Sequence, residues 1–182
     1  MVYLFLAEGF EEIEALTPVD LLRRANIDIT TVGIGGNTVI GAHGIEVTAD
    51  IDETTALSHL DDTDIEMVIL PGGMPGTKNL DASATVDAFL AKCREESIPV
   101  SAICAAPMVL GKRGMLDGKK AVCYPGFEEY LVGAEIVNAG SVTDEGTICG
   151  RAMGSAAEFA LDIITALRSE ELANKIREAI IL

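Results

Sequence analysis

Cys104 is the residue in this sequence whose type and position point most directly to chemistry. It ends the apolar run at 99–104 and precedes Ala105-Ala106-Pro107, so it is predicted to lie where a strand ends and a helix begins. A residue in such a sharp turn has the geometry of a nucleophile elbow, where the N–H groups of the helix start lower the pKa of a thiol. Cysteine is also among the residue types most often buried for packing alone. The spacing leaves both interpretations of Cys104 open.

Two other segments follow predicted strands and could contribute to the same site. The segment 70–77, Leu-Pro-Gly-Gly-Met-Pro-Gly-Thr, can present backbone N–H groups to an oxyanion, although a turn that merely ends a strand has the same composition. It matches neither a Walker loop nor a dinucleotide-binding fingerprint. Glu14 lies in an apolar context, where burial would raise the pKa of its carboxyl and let it donate a proton. Glu11 and Glu12 are expected to be solvated acids that favour a helix N-terminus.

Three further residues are candidates to line this site: Tyr124, Arg151 and His43. Tyr124 follows a predicted strand at 120–123 and can either hydrogen-bond at the same sheet edge or pack with Phe127. Arg151 precedes an apolar helix and can hold an anion or form a surface ion pair. His59 is expected at the surface.

Metal chemistry is not expected from this sequence. The four cysteines have no C-x-x-C spacing, and with only two histidines a structural zinc site has too few ligands. The thiols are expected to be free, as is usual in a reducing compartment.

The elements that must position these residues alternate between strands and helices. Apolar strands are predicted at 2–7, 27–32, 65–70 and 99–104, with shorter ones at 120–123, 136–138 and 147–149 and a small hairpin at 39–40 and 45–48. Helices are predicted at 17–26, 82–96, 154–167 and 169–182, the first with Thr17 as N-cap and Pro18 at its first position. Continuous apolar strands are typical of a mostly parallel sheet covered on both faces, so a three-layer α/β sandwich is expected, with sites at the carboxyl ends of its strands.

Composition narrows the classes of function. The 182 residues contain 29 acidic and 13 basic side chains, for a formal net charge of −16, and their number fits one domain spanning 1–182. Such an acidic excess disfavours binding to nucleic acid or to an anionic membrane surface. No apolar run has the length of a membrane span, and no basic residue precedes Arg23 as a secretory signal requires. We therefore expect a cytoplasmic protein that handles small molecules or proteins.

Together these segments resemble the ThiJ/PfpI superfamily, in particular its DJ-one branch, the parkinsonism-associated protein deglycases. The resemblance rests on Gly-Phe-Glu-Glu-Ile-Glu at 9–14, the stretch 18–25, Leu-Pro-Gly-Gly at 70–73 with Asn79 and Leu80, Ala-Ile-Cys-Ala at 102–105 with Pro107, and Glu-Phe-Ala-Leu at 158–161. These stretches occur in family order with family spacing, so the resemblance covers essentially the whole chain.

The resemblance implies a flavodoxin-like sandwich, usually a homodimer, that uses no cofactor. It implies that Cys104 is a reactive, easily oxidised cysteine, that Glu14 is a protonated carboxyl hydrogen-bonded to its sulfur, and that Gly73 and Ala105 supply backbone N–H groups. The implied activity is glyoxalase- or deglycase-type chemistry on methylglyoxal or its protein adducts, as a hydro-lyase or hydrolase. The alternative is redox sensing or chaperoning through oxidation of Cys104, and peptidase or amidotransferase activity ranks last.

Two positions depart from the family pattern. Tyr124 stands where many members carry a histidine near the cysteine, which argues against a Cys–His peptidase and leaves Glu14 as the main acid/base. Arg151 matches a family arginine, but His43 stands at the position of its partner arginine, which weakens any role in anion binding. Glu14 is thus expected to be the one acid of the 29 that carries no charge at neutral pH.

Overall fold

The strands of the chain form one large sheet and two small ones. The computed structural model describes residues 1–61 and 64–182. Within them the strands are β1 Val2–Leu6, β2 Ile29–Gly33, β3 Thr38–Ile40, β4 Glu46–Thr48, β5 Ile51–Asp52, β6 Met67–Leu70, β7 Val100–Ile103, β8 Lys120–Ala121, β9 Glu135–Ile136, β10 Ser141–Asp144 and β11 Thr147–Gly150. The large sheet has the order β10-β11-β7-β6-β1-β2-β5 and is parallel except for β10, which runs antiparallel to β11.

Helices cover both faces of this sheet, as the sequence predicted. They are α1 Glu12–Arg24, α2 Glu53–Ser58, α3 Gly76–Asp81, α4 Ala84–Glu96, α5 Pro107–Lys112, α6 Ala156–Leu167 and α7 Glu170–Ala179, with 3₁₀ turns at Glu128–Tyr130 and Met153–Ser155. Among the residues described, no helix is long and apolar enough to cross a bilayer.

Two separate cores give the fold its three layers. The fully buried strand β1 sends alternate side chains to opposite faces. Leu4 packs with Leu22 of α1 and Phe159 of α6 on one face, whereas Phe5 packs edge-on against Phe89 of α4 on the other. The predicted three-layer α/β sandwich with a mostly parallel sheet is confirmed.

The first helix differs from its prediction. α1 begins at Glu12, so Pro18 lies inside it and Thr17 does not cap it. An internal proline removes one helical hydrogen bond. Burial of Ala15 and Leu22 on the face of α1 that packs onto the sheet offsets that loss. The consequence for the site is that Glu14 lies in the first helical turn.

Several shorter elements also differ from the sequence analysis. The hairpin is confirmed as β3 and β4, which pair antiparallel. The short strand predicted at 120–123 does not join the large sheet, because β8 pairs with β9 in a two-stranded sheet of its own. Helix α3 and the edge strand β10 were not predicted.

Candidate functional site

Cys104 lies in a strained turn at the carboxyl edge of the sheet. It follows β7 directly and has φ +66°, in the left-handed region that costs a residue with a Cβ about 1 kcal/mol or more. Its N–H donates to the Gly150 carbonyl at 2.9 Å, and its carbonyl accepts the Tyr124 N–H at 2.8 Å. These two bonds to neighbouring segments hold the turn that the sequence predicted as a nucleophile elbow.

The Glu14 carboxyl is buried against the Cys104 sulfur. Its side chain hydrogen-bonds to Cys104, and Oε2 accepts the Gly72 N–H at 3.0 Å. The Met153 N–H is a second backbone donor to this carboxyl. Glu14 is only 1% exposed, and this burial, helped by the charge of Glu11, raises its pKa from 4.5 to about 7. A carboxyl with this pKa can both donate and accept a proton near neutral pH.

The Cys104 sulfur accepts hydrogen bonds from the backbone N–H groups of Ala105 and Gly73. Burial and the ionised Glu14 nevertheless raise the pKa of the thiol to about 12. The prediction of a lowered thiol pKa is therefore wrong, because the backbone donors and the six-residue helix α5 do not compensate for burial of the thiol and for the charge of Glu14. The Glu14 carboxyl and the Cys104 thiol titrate as a coupled pair, and above neutral pH the pair holds one proton that its oxygen and sulfur atoms share.

Two glycines make this close approach sterically feasible. A Cβ at Gly72 would lie 2.5 Å from Glu14 Oε2 and 2.7 Å from the Cys104 Cβ. At Gly73, which has φ +90°, a Cβ would collide with the backbone N of Glu11. In this Gly-rich segment the Gly72 N–H donates to the Glu14 carboxyl, and the use of the segment as a source of N–H donors to an oxyanion stays a prediction.

Tyr124 and Arg151 lie at the same edge of the sheet. The Tyr124 side chain is 47% exposed, and its ring packs against that of Phe127 at a centroid distance of 6.5 Å. Arg151 follows β11, and its Nη1 donates to Asn138 Oδ1 at 2.6 Å. The Arg151 guanidinium thus contacts a side-chain amide, whereas the sequence had suggested a surface ion pair as one alternative.

His43 pairs with Glu12, which corrects the expectation that Glu12 is solvated. The Glu12 side chain is buried, with Oε1 accepting the His43 N–H at 2.8 Å and Oε2 lying 2.9 Å from His43 Nδ1. Burial by itself would raise the pKa of Glu12, but hydrogen bonds from His43 and from backbone N–H groups outweigh it, so the pKa is lowered. The same bond raises the pKa of His43. Sequence reasoning missed this pair because His43 lies 31 residues away on the β3–β4 connection.

A metal ion could be held by Glu11, Glu12 and His43, whose ligand atoms lie within 4.8 Å of one another in the part of the chain that the structure describes. The hydrogen bonds between Glu12 and His43 account for this cluster without an ion.

The Met153 donor and the position of Gly72 had no clear signal in the sequence. A main-chain N–H has no side-chain identity, and Met153 lies 139 residues from Glu14 along the chain. Gly72 lies in the Gly-rich segment that was singled out, but its packing against the Glu14 and Cys104 side chains follows only from the fold.

Comparison with known proteins gives consistent matches along the chain. The DJ-1/PfpI family matches residues 1–166. Protein dj-1beta of Drosophila melanogaster is 32% identical over 180 residues, covering 97% of this chain and 94% of its own length. A deglycase of Pyrococcus horikoshii is 29% identical over 155 residues, covering 83% and 90%. The structure of oxidized DJ-1 from Toxoplasma gondii has a TM-score of 0.92 and 31% identity, covering 99% and 97%.

Proposed function

Because this chain belongs to the DJ-1/PfpI family, we propose that it is a cysteine-dependent enzyme that acts on reactive dicarbonyls such as methylglyoxal, or on their protein adducts, without a cofactor. The observation that carries this proposal is the contact between the Cys104 sulfur and a buried carboxyl whose pKa is raised to about 7. Nucleophile and acid/base are thus adjacent, as carbonyl addition requires. The relative named a deglycase supports the same class of substrate.

The proposed reaction begins with a proton transfer inside the Cys104–Glu14 pair. The sulfur attacks the aldehyde carbon of methylglyoxal, the C–S bond forms, and the carbonyl electron pair moves to oxygen. The thiol proton passes to the Glu14 carboxylate and then to that oxygen, which gives a hemithioacetal. Backbone N–H groups of Gly73 and Ala105, which already contact the sulfur, are the donors available to the developing oxyanion.

Glu14 then moves a second proton within the bound intermediate. Its carboxylate removes the proton from the former aldehyde carbon, and an enediol-like intermediate forms. Return of the proton to the neighbouring carbon reduces the ketone and oxidises the aldehyde carbon to a thioester, so no external oxidant is needed. Water hydrolyses the thioester, which releases lactate and the free thiol.

Lactate formation from methylglyoxal tests this mechanism. We expect Cys104→Ser to abolish turnover and Glu14→Gln to lower kcat at least about 100-fold, since each removes a group that bonds to or transfers protons with the substrate. Cys93→Ala is the matched cysteine control, because Cys93 is buried in α4 and lines a cavity with Val100, at the opposite end of β7 from Cys104. Turnover retained in either site variant, with folding confirmed by circular dichroism, would contradict the mechanism.

A second candidate function is redox sensing through Cys104. The same N–H groups and a protonated Glu14 could stabilise a sulfinate, and one of the similar structures is of an oxidized protein. Mild peroxide followed by intact-mass and peptide analysis is the test. A gain of two oxygen atoms on Cys104 alone would favour sensing, whereas equal oxidation of all four free cysteines would count against it.

We further propose a cytoplasmic homodimer. Exposed apolar side chains on α1 and on the β3–β4 hairpin, Ile13, Leu16, Ile40 and Ile45, offer a surface that a second copy could cover. The reduced thiol that the chemistry needs fits a cytoplasmic location. Peptidase and amidotransferase activities rank last, since Tyr124 occupies the position expected for a histidine and His43 is bound to Glu12.

A further inference from the structure

Three large apolar side chains are exposed on the segments that flank the Cys104–Glu14 pair. Met74 is 38% exposed, Tyr124 47% and Met153 55%. Exposed large apolar side chains that occur together commonly mark a binding site. We call these three residues the apolar rim.

Main-chain contacts place the segment of each rim residue beside the Cys104 turn. The Tyr124 N–H donates to the Cys104 carbonyl at 2.8 Å, and Met153 lies three residues after Gly150, whose carbonyl accepts the Cys104 N–H at 2.9 Å. Met74 follows the Gly72-Gly73 pair, and a Cβ at Gly72 would lie 2.7 Å from the Cys104 Cβ. The three rim residues therefore lie on segments that follow different strand ends and pass beside Cys104.

The ring of Tyr124 is also held in place before any ligand binds. It makes an edge contact with Phe127, whose ring in turn lies 6.1 Å from that of Tyr130. Such a row of aromatic rings loses little conformational freedom when a further ring packs against it.

Bonding to the sulfur brings a substrate's substituent against this rim. An electrophilic carbon that bonds to Sγ carries its substituent only two or three bonds away. Cys104 itself is partly exposed, while Glu14 behind it is buried, so the substituent must lie on the open side. The segments that border this side carry the exposed thioether and aromatic side chains of the apolar rim.

We propose that the apolar rim makes this site selective for 2-oxoaldehydes with an aryl or bulky alkyl substituent over methylglyoxal. The inference rests on the proposed attack of Cys104 on a carbonyl and adds the residues that determine the substituent. Met74, Tyr124 and Met153 act as specificity-determining residues through surface contact with that substituent.

The test compares phenylglyoxal with methylglyoxal. We expect kcat/KM to be higher for phenylglyoxal than for methylglyoxal. The ratio of kcat/KM for phenylglyoxal to that for methylglyoxal should fall about 10-fold in the double variant Met74→Ser/Met153→Ser, a discrimination typical of an apolar contact surface. Leu57→Ser is the matched control, since Leu57 is an equally exposed apolar residue on α2 at the far edge of the sheet. In this control the ratio should stay at the wild-type value.

A second measurement separates this inference from the proposed turnover. Phenacyl bromide and bromoacetone alkylate a thiol with formation of a C–S bond, loss of bromide and release of the thiol proton. Their rates at Cys104, each divided by the rate with glutathione and checked against Cys104→Ser, should show the same 10-fold fall in the double variant.

The outcomes are distinct. If neither dicarbonyl is turned over but the alkylation ratio falls, the proposed function fails and the apolar selectivity of the site stands. If both ratios stay within twofold of wild type, the selectivity proposal is overturned, whatever the turnover. A change of oligomeric state in the double variant without a change in either ratio would overturn it as well, by assigning the rim to a contact between copies.

Discussion

The buried Glu14 carboxyl makes the stability of this protein depend on pH. Its pKa rises from 4.5 to about 7 because the folded chain buries it, so the folded state binds this proton more tightly than the unfolded state does. The contribution of Glu14 to the free energy of unfolding is therefore complete below about pH 4.5 and is lost as the pH rises through about 7. The shift corresponds to about 3 kcal/mol.

We expect Glu14→Gln to remove this dependence, because the amide does not titrate. The difference in unfolding free energy between wild type and Glu14→Gln should fall by about 3 kcal/mol between about pH 4.5 and pH 8. Urea titrations across this range measure it, with the exposed Glu178→Gln as a control. Parallel curves for wild type and Glu14→Gln would show that burial does not shift the carboxyl.

Single site residues were predictable where their neighbours in sequence indicate the environment that the residue has in the fold. Cys104 stands between an apolar strand and a Pro-initiated helix, and Glu14 stands among apolar neighbours, so both could be singled out. Glu12 could not, since its neighbours in sequence include the acid Glu11 and its partner His43 comes from a distant hairpin. The thiol pKa was mispredicted because it depends on the burial of Cys104 and on the charge of Glu14, and only the fold determines both.

At the scale of elements, Glu12 attaches the β3–β4 hairpin to the start of α1. Its carboxylate accepts the N–H groups of His43 at 2.8 Å and Ile45 at 3.5 Å. Main-chain bonds from Gly9 to Ile40 and from Ala42 to Phe10 hold the same hairpin, so it should remain docked at reduced stability without the carboxylate.

We expect Glu12→Ala to loosen this hairpin, because two backbone donors lose their acceptor. The free energy of unfolding should fall by about 2 kcal/mol, and amide hydrogen exchange at His43 and Ile45 should accelerate about 10-fold or more. Glu46→Ala, an exposed glutamate on β4, is the control. Unchanged exchange at both amides would mean that the main-chain bonds alone hold the hairpin.

Helices and strands were predictable where the apolar pattern in the sequence matches both the burial and the secondary structure of the element. The strands β1 and β6 are continuous apolar runs, and β7 departs from this pattern at the buried Ser101, because helices cover both faces of all three strands. The start of α1 was misplaced because a proline suggested a first helical position, whereas tertiary packing extends the helix by six residues before it. The two-residue strands β8 and β9 carry no periodicity that could assign them to a sheet of their own.

For the whole molecule, the net charge of −16 opposes folding by self-repulsion. Added salt screens charges separated by more than about 10 Å. We therefore expect Tm at neutral pH to rise by a few degrees between about 10 mM and about 200 mM NaCl. Differential scanning calorimetry measures the change.

The same salt series near pH 4.3, the isoelectric point of the sequence, provides the control. Net repulsion is absent there, so the rise in Tm should disappear. An equal rise at both pH values would show that salt acts on burial of apolar surface instead of on charge.

Besides the Glu14 carboxyl, the Cys104 sulfur contacts two main-chain N–H groups, those of Gly73 and Ala105. No substitution other than proline deletes such a donor, so point mutation can alter what surrounds the sulfur while leaving these two contacts in place. The path of the backbone, and not the identity of a side chain, therefore determines this part of the site. Replacing one of these amides by an ester through chemical synthesis would remove a single donor and leave every side chain intact.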